Sequence, residues 1–218
     1  MTRGRRLLPR PLLGAALAAC AAALVLAVGL LAARLPFAVD EAIIGAVRGA
    51  GPAWLRRVAI DLTALGGGVV LTIVVVAAAG FLVVRRLPLT AAALVAACWS
   101  GGRVVALVKD LVARARPDLA ERLVPVTSAS FPSGHAANSA VVYLSLAALA
   151  AQVTPDRAAR RYLFALAIVL TGAIGCSRVY LGVHWPSDVL AGWSFGTMWA
   201  LGWWWLAARA RASLGGER

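Results

Sequence analysis

The chain has 218 residues, of which 61% are apolar and only 14% charged, and a mean hydropathy of +0.83; this balance excludes an ordinary soluble domain and reads as an integral membrane protein. The formal net charge is +13, but the arginines are dispersed at the ends of apolar runs with no basic face or stripe, which excludes a nucleic-acid footprint. The three cysteines, Cys20, Cys98 and Cys176, have neither pairing nor metal-ligand spacing and all fall in apolar runs, where small packing residues are expected.

Six apolar stretches, roughly 11–33, 62–84, 87–108, 136–155, 162–177 and 189–208, predict an all-α polytopic membrane protein. The expected architecture is a six-transmembrane-helix bundle forming a single membrane domain over 1–218. The first run follows Arg3, Arg5, Arg6 and Arg10, as a signal peptide would, but its length of about 23 residues exceeds the h-region of a signal sequence, so an uncleaved first helix is expected. The connection 36–58 reads as an interfacial segment. Asp40 and Glu41 there cap a short helix from about 41 to 48, Gly49 to Pro52 stop it, and Trp54, Arg56 and Arg57 suit a membrane surface. Gly66, Gly67 and Gly68 lack a following lysine and read as a kink or close-packing site rather than a nucleotide loop. Trp203, Trp204 and Trp205 at the end of the last run read as an aromatic interface anchor.

Arginines also fill the turns after the second and fourth runs (Arg85, Arg86; Arg157, Arg160, Arg161) and the tail (Arg209, Arg211, Arg218). With six crossings these segments and both termini share one side, assigned to the cytoplasm of a cell (plasma) membrane by the positive-inside rule.

The chain's one lysine and both histidines lie in short polar motifs. Lys109 precedes Arg116 and Pro117. Pro132, Ser133, Gly134 and His135 open the fourth run. Ser177 and Arg178 are followed by His184 and then Asp188, between the fifth and sixth runs. Alternating crossings put all three motifs on the opposite, outer side, where they can converge on one site.

The residue types point to a phosphate ester. A phosphoryl group in transfer spreads charge over several oxygens and needs several donors. Lys109, Arg116 and Arg178 supply positive charge, and an arginine fork takes two oxygens at once. Ser133 and Gly134 lead into a helix N-terminus, where free N–H groups and the helix dipole favour an anion. Gly134 lets the backbone approach closely; Ser133 either caps the helix or donates to a phosphate oxygen. Imidazoles serve as nucleophile and as acid near neutral pH. Asp188, one helical turn beyond His184, is placed to hold one ring nitrogen protonated and leave the other free, so His184 is assigned as nucleophile and His135 as general acid. Two histidines and an aspartate among these cations make a poor metal site, so no metal and no cofactor is expected.

The sequence resembles the type 2 phosphatidic acid phosphatase (PAP2) family, integral-membrane lipid phosphatases that share a core with vanadium haloperoxidases. The three-part signature of that family, Lys-six residues-Arg-Pro, Pro-Ser-Gly-His and Ser-Arg-five residues-His-three residues-Asp, matches at every fixed position between 109 and 188. Residues 1–60 carry no motif and are covered by layout only. The resemblance implies a phosphohistidine on His184, leaving-group protonation by His135, orientation by Asp188, and phosphate contacts from Lys109, Arg116, Ser133, Gly134 and Arg178 without a metal. Expected partners are the bilayer and a lipid phosphate: phosphatidic acid, phosphatidylglycerol phosphate or a polyprenyl diphosphate. The rival readings are a phosphotransferase with an acceptor other than water, a non-catalytic lipid carrier that keeps an anion site, and, remotely, a haloperoxidase.

Overall fold

A computed structural model describes residue 20, residues 38–117 and residues 127–213. The expected first span, 11–33, lies outside these apart from Cys20. The described residues form helices α1 (Ala38–Val47), α2 (Ala53–Ala64), α3 (Gly68–Val84), α4 (Pro88–Val112), α5 (Gly134–Val153), α6 (Arg157–Tyr180) and α7 (Pro186–Ser213). Among the described residues α4, α5 and α6 are long and apolar enough to cross a membrane, and α2 with α3 form a fourth such unit bent by 46°. The protein is therefore an all-helical integral membrane protein.

The expected single run over 62–84 is corrected to two helices. The break falls at Leu65–Gly67, where the backbone N–H groups of Leu65, Gly66 and Gly67 bond back to Leu62, Thr63 and Ala64. A run of three glycines places no side chain to carry the helix on, so the kink reading holds. The chain before it is helical from Ala53 rather than a plain connector. The fifth span also runs longer than its apolar stretch. Asp156 caps α6 by accepting from the Ala159 N–H at 2.7 Å, which brings Arg157, Arg160 and Arg161 into the helix. The last stretch forms a 28-residue helix whose apolar run is diluted by tryptophans and glycines.

The centre of the bundle is α5, which packs against α7, α6 and α4. Small residues set how closely α5 and α7 approach: Ala136, Ala137 and Ala140 face Gly192 and Gly196, and a Cβ on Gly196 would lie 2.4 Å from the Ala137 carbonyl oxygen. Without water to expel, such close backbone contact is the main source of helix–helix attraction in a bilayer. It also brings the start of α5 beside the start of α7, and the Ser133 N–H donates to the Asp188 carbonyl at 2.9 Å.

The tryptophan cluster divides its roles. Trp203 and Trp204 line a cavity between α4, α5 and α7, while Trp205 is exposed and stacks under the Arg209 guanidinium at 4.1 Å. All three cysteines are free. Cys20 and Cys176 are exposed, so packing within the bundle does not account for them; only the half-buried Cys98 fits that expectation.

Candidate active site

The polar motifs meet at one end of the bundle, where α4 ends, α5 begins, α6 ends and α7 begins. His184 and Asp188 are 2% and 0% exposed, and Ser130 and Ser133 are 0% exposed. So much buried polarity is tolerated only where each group finds a partner or a ligand.

His184 lies in the turn between α6 and α7. Its Nδ1 is 3.5 Å from Asp188 Oδ2 and from Ser130 Oγ, at the long limit of a hydrogen bond. Its Nε2 is 3.2 Å from Arg116 Nη1. A guanidinium can only donate, so this contact fixes Nε2 as the nitrogen with the lone pair and Nδ1 as the one that carries hydrogen. Burial pushes the His184 imidazole down to about 4, against the opposing pull of Asp188, and the ring is neutral at physiological pH.

Asp188 is over-determined. Its Oδ1 accepts from Arg114, and its Oδ2 accepts from the Ser130 hydroxyl and from the Trp185 N–H at 3.0 Å. A carboxylate offers about four acceptor positions, so the carboxylate cannot swing away from His184 without abandoning these bonds.

Of the expected phosphate contacts, Lys109 and Arg116 are bound to loop carbonyls that wall the site. Lys109 Nζ donates to Ala129 O at 2.6 Å and Ser130 O at 3.4 Å. Arg116 Nε donates to Ser128 O at 2.7 Å, and its Nη1 to Val183 O. Arg178 donates from Nη1 to Thr63 Oγ1 at 2.7 Å, while its buried Nε has no partner among the described residues. Ser133 occupies the N-cap of α5 but makes no side-chain cap bond, and its buried Oγ is likewise unpartnered; the capping alternative is not realised. Among the described residues nothing crowds Gly134, where the nearest atoms to an added Cβ are Lys109 Cε and Val105 Cγ1 at 3.8 and 3.9 Å.

His135 sits in the first turn of α5, within Coulombic reach of Arg178, His184, Arg116 and Lys109. Its ring packs against the α2–α3 break: a Cβ on Gly66 would lie 3.3 Å from His135 Cδ2 and 2.5 Å from Ile174 Cγ2. The bend therefore seats two expected site residues, Arg178 through Thr63 and His135 through Gly66.

Arg114, Asp40, Ser130 and Thr63 also belong to the site, outside the fixed positions of the three motifs. Arg114 lies inside the Lys109 to Arg116 spacing, but nothing in the sequence distinguishes it from the other arginines near helix ends. Asp40 does stand in the first turn of a short helix, as expected, but it is fully buried rather than capping at the surface.

This constellation, on a bundle of apolar helices, defines a class. The PAP2 superfamily model matches residues 69–212, about two thirds of the chain, and the chain belongs to that superfamily. A transmembrane PAP2 type phosphatidylglycerolphosphate phosphatase from Bacillus subtilis, solved as a crystal structure, superimposes with a TM-score of 0.78 at 31% identity, covering 88% of this chain and 96% of that one. Phosphatidylglycerophosphatase B of Bacillus subtilis (strain 168) is 41% identical over 93 residues, 42% of this chain and 45% of that protein. An undecaprenyl-diphosphatase of Sulfolobus acidocaldarius is 38% identical over 71 residues, 33% of this chain and 30% of that protein. The chain thus spans less than half the length of these curated relatives.

Proposed function

We propose that the protein is a metal-independent lipid phosphatase that hydrolyses a phosphate monoester or diphosphate at the outer face of a cell membrane, through a phosphohistidine on His184. The observation that carries this reading is the state of His184: neutral, Nδ1–H turned to Asp188, Nε2 lone pair turned to the cations. Among the described residues, two of the buried donors without a partner, Arg178 Nε and Ser133 Oγ, belong to the expected phosphate contacts and fit an oxyanion, because an unpaired buried donor is costly until an acceptor arrives.

Nε2 of His184 attacks phosphorus while the bond from phosphorus to the leaving oxygen breaks, and His135 gives that oxygen its proton. The incoming phosphate offsets the charge of Lys109, Arg116 and Arg178 and so favours the imidazolium of His135. His135, now neutral, takes a proton from water, whose oxygen attacks phosphorus. The P–N bond breaks, inorganic phosphate leaves, and His184 recovers its lone pair. Asp188 stays ionised and balances the charge on the His184 ring throughout.

Support for a lipid comes from a groove of about 290 Å³ between α3, α4 and α5. It begins at Gly68, two residues from the glycine beneath His135, and runs between Leu71, Val75, Trp99 and Val142. The names of the relatives put phosphatidylglycerol phosphate and an undecaprenyl diphosphate first among the substrates to try. Six spans, with the first formed by 11–33 and both termini cytoplasmic, complete the proposed layout over 1–218.

The test is phosphate release by purified protein in detergent with EDTA, over a panel of phosphatidic acid, phosphatidylglycerol phosphate and polyprenyl diphosphate. The parent is expected to turn over at least one of them, and His184→Ala is expected to be inactive with trapped phosphohistidine absent. Equal turnover by parent and variant would overturn the assignment of His184. Binding without turnover in the parent would favour a carrier, and a labelled phosphate on an added alcohol would favour a transferase.

A further inference from the structure

Behind Asp188 lies a second buried charge pair that no signature position accounts for. Arg114 leaves α4 just beyond its left-handed cap at Ala113, whose φ is 48°, and turns its side chain inward, where it is 5% exposed. One arm of its fork reaches Asp188 Oδ1 and, at 2.8 Å, Ser187 Oγ. The other reaches Asp40 Oδ2 at 2.9 Å. Asp40, 0% exposed, in turn accepts from the Ser187 N–H at 2.8 Å and from the Ser187 hydroxyl. Asp40 comes from α1, a helix in the part of the chain that carries no motif.

Three features set this chain of contacts apart from ordinary packing. A buried arginine between two buried carboxylates is a costly arrangement that hydrophobic residues can replace without loss of stability, so its presence calls for a role beyond holding helices together. It ends on the Asp188 oxygen that His184 does not face, so it leaves the other oxygen for the ring. And each member is fixed by more than one bond, which transmits position rather than merely filling space.

We propose, on the footing of the phosphohistidine reading above, that Arg114 is a positioning residue that acts on His184 through Asp188, with Asp40 holding Arg114 in register. Arg114 keeps Asp188 an acceptor with Oδ2 towards Nδ1, and this in turn keeps the Nε2 lone pair facing phosphorus. Asp40 makes α1 part of the reacting apparatus: it takes the second arm of Arg114 and, through the Ser187 N–H, grips the positive end of α7 from which Asp188 projects.

The experiment compares Arg114→Gln, Arg114→Lys, Asp40→Asn and the Asp40→Asn/Arg114→Gln pair in the full chain in detergent. Partners that orient a reacting group typically cost about 10- to 100-fold when removed. Arg114→Gln is expected to lose kcat on that scale with KM changed less than about 3-fold, and Arg114→Lys, which keeps the charge but not the fork, to recover part of it. Asp40→Asn is expected to lower kcat by less, and the pair to fall short of the product of the single losses, as linked residues do. Nitrogen-15 spectra of the two histidines, assigned with His135→Gln, read the tautomer directly: Nδ1–H for His184 in the parent, a mixed population in Arg114→Gln and Asp40→Asn. Because Asp40→Asn is nearly isosteric, it decides the matter if Arg114→Gln fails to fold. An unchanged His184 tautomer with kcat within about 2-fold of the parent, where a linked position should cost far more, would overturn the proposal. A parent without turnover would remove the phosphatase reading, and the tautomer comparison would still decide whether Arg114 and Asp40 orient His184.

Discussion

The two ends of the same helices solve different problems. At the end of α4, α5 and α7 away from the site the contacts are with alanines, Leu94, Leu149 and two tryptophans around a cavity of about 40 Å³, with Thr90, Ser145 and Gln152 the polar lining. At the other end the helices carry two arginine–carboxylate pairs, 2.9 Å apart and closer, and two nearly fully buried serines beside His184. The end away from the site could be rebuilt from other apolar residues of similar volume at little cost. At the site end a single change is felt more, since removing one partner of a buried charge pair leaves the other uncompensated, at a cost of about 3–5 kcal/mol. Stability and chemistry thus occupy opposite ends of one bundle, joined along α5 and α7.

The sharpest break in that division is His184→Ala. Loss of the proposed nucleophile leaves only binding and charge stabilisation, so turnover is expected to fall by about 10⁴-fold or more, while the emptied buried position costs stability on the scale of a large-to-small core change, about 2–5 kcal/mol, with helicity in detergent retained. Gly196→Leu tests the join. With its Cβ 2.4 Å from the Ala137 carbonyl, it should force α5 and α7 apart, cost about 3 kcal/mol or more, and carry activity down with it, measured by phosphate release after confirming helicity.

A third variant separates placement from packing. Gly66→Ala drives a methyl into Ile174 and towards the His135 ring; kcat should fall by about 10-fold, the scale of a misplaced reacting group, and Gly66→Ala/Ile174→Ala should recover part of it.

The pH dependence of stability follows from His184. Its folded value of about 4 lies below its ordinary 6.5, so between those values the unfolded chain binds the proton and the folded protein does not. Stability is complete above about 6.5 and declines as pH falls towards 4, by roughly 3 kcal/mol at most; His184→Asn should flatten this part of a melting-versus-pH curve. The smallest effect belongs to the end away from the site: Ala148→Val, directed into the cavity there, should move stability by no more than about 1 kcal/mol and leave phosphate release as it was.

Much of the site was legible because its chemistry is rare in so apolar a chain. A single lysine and two histidines in fixed spacing, on alternating helix ends, were enough to bring Lys109, Ser133, His135, Arg178, His184 and Asp188 to one end. What stayed hidden were contacts between residues far apart in sequence. Arg178 meets Thr63 and Asp40 meets Ser187 across separations of 115 and 147 residues, and no local pattern marks such pairs. Helix ends were misjudged for a related reason. Hydropathy reports the apolar run, whereas α6 begins where Asp156 caps it and α2 gives way to α3 where Gly66 must pass Ile174.

The groove between α3, α4 and α5 is bordered by Val76, Val95 and Trp99, which are 64%, 45% and 70% exposed, while the other flank of α5 is sealed by the glycines of α7. A substrate tail on the open flank would slide in from the surrounding lipid sheet instead of dropping in from water. Encounter would then be set by how crowded the sheet is with substrate. Mixing inert lipid into vesicles at constant total substrate should slow the reaction, whereas diluting the whole suspension with buffer should not.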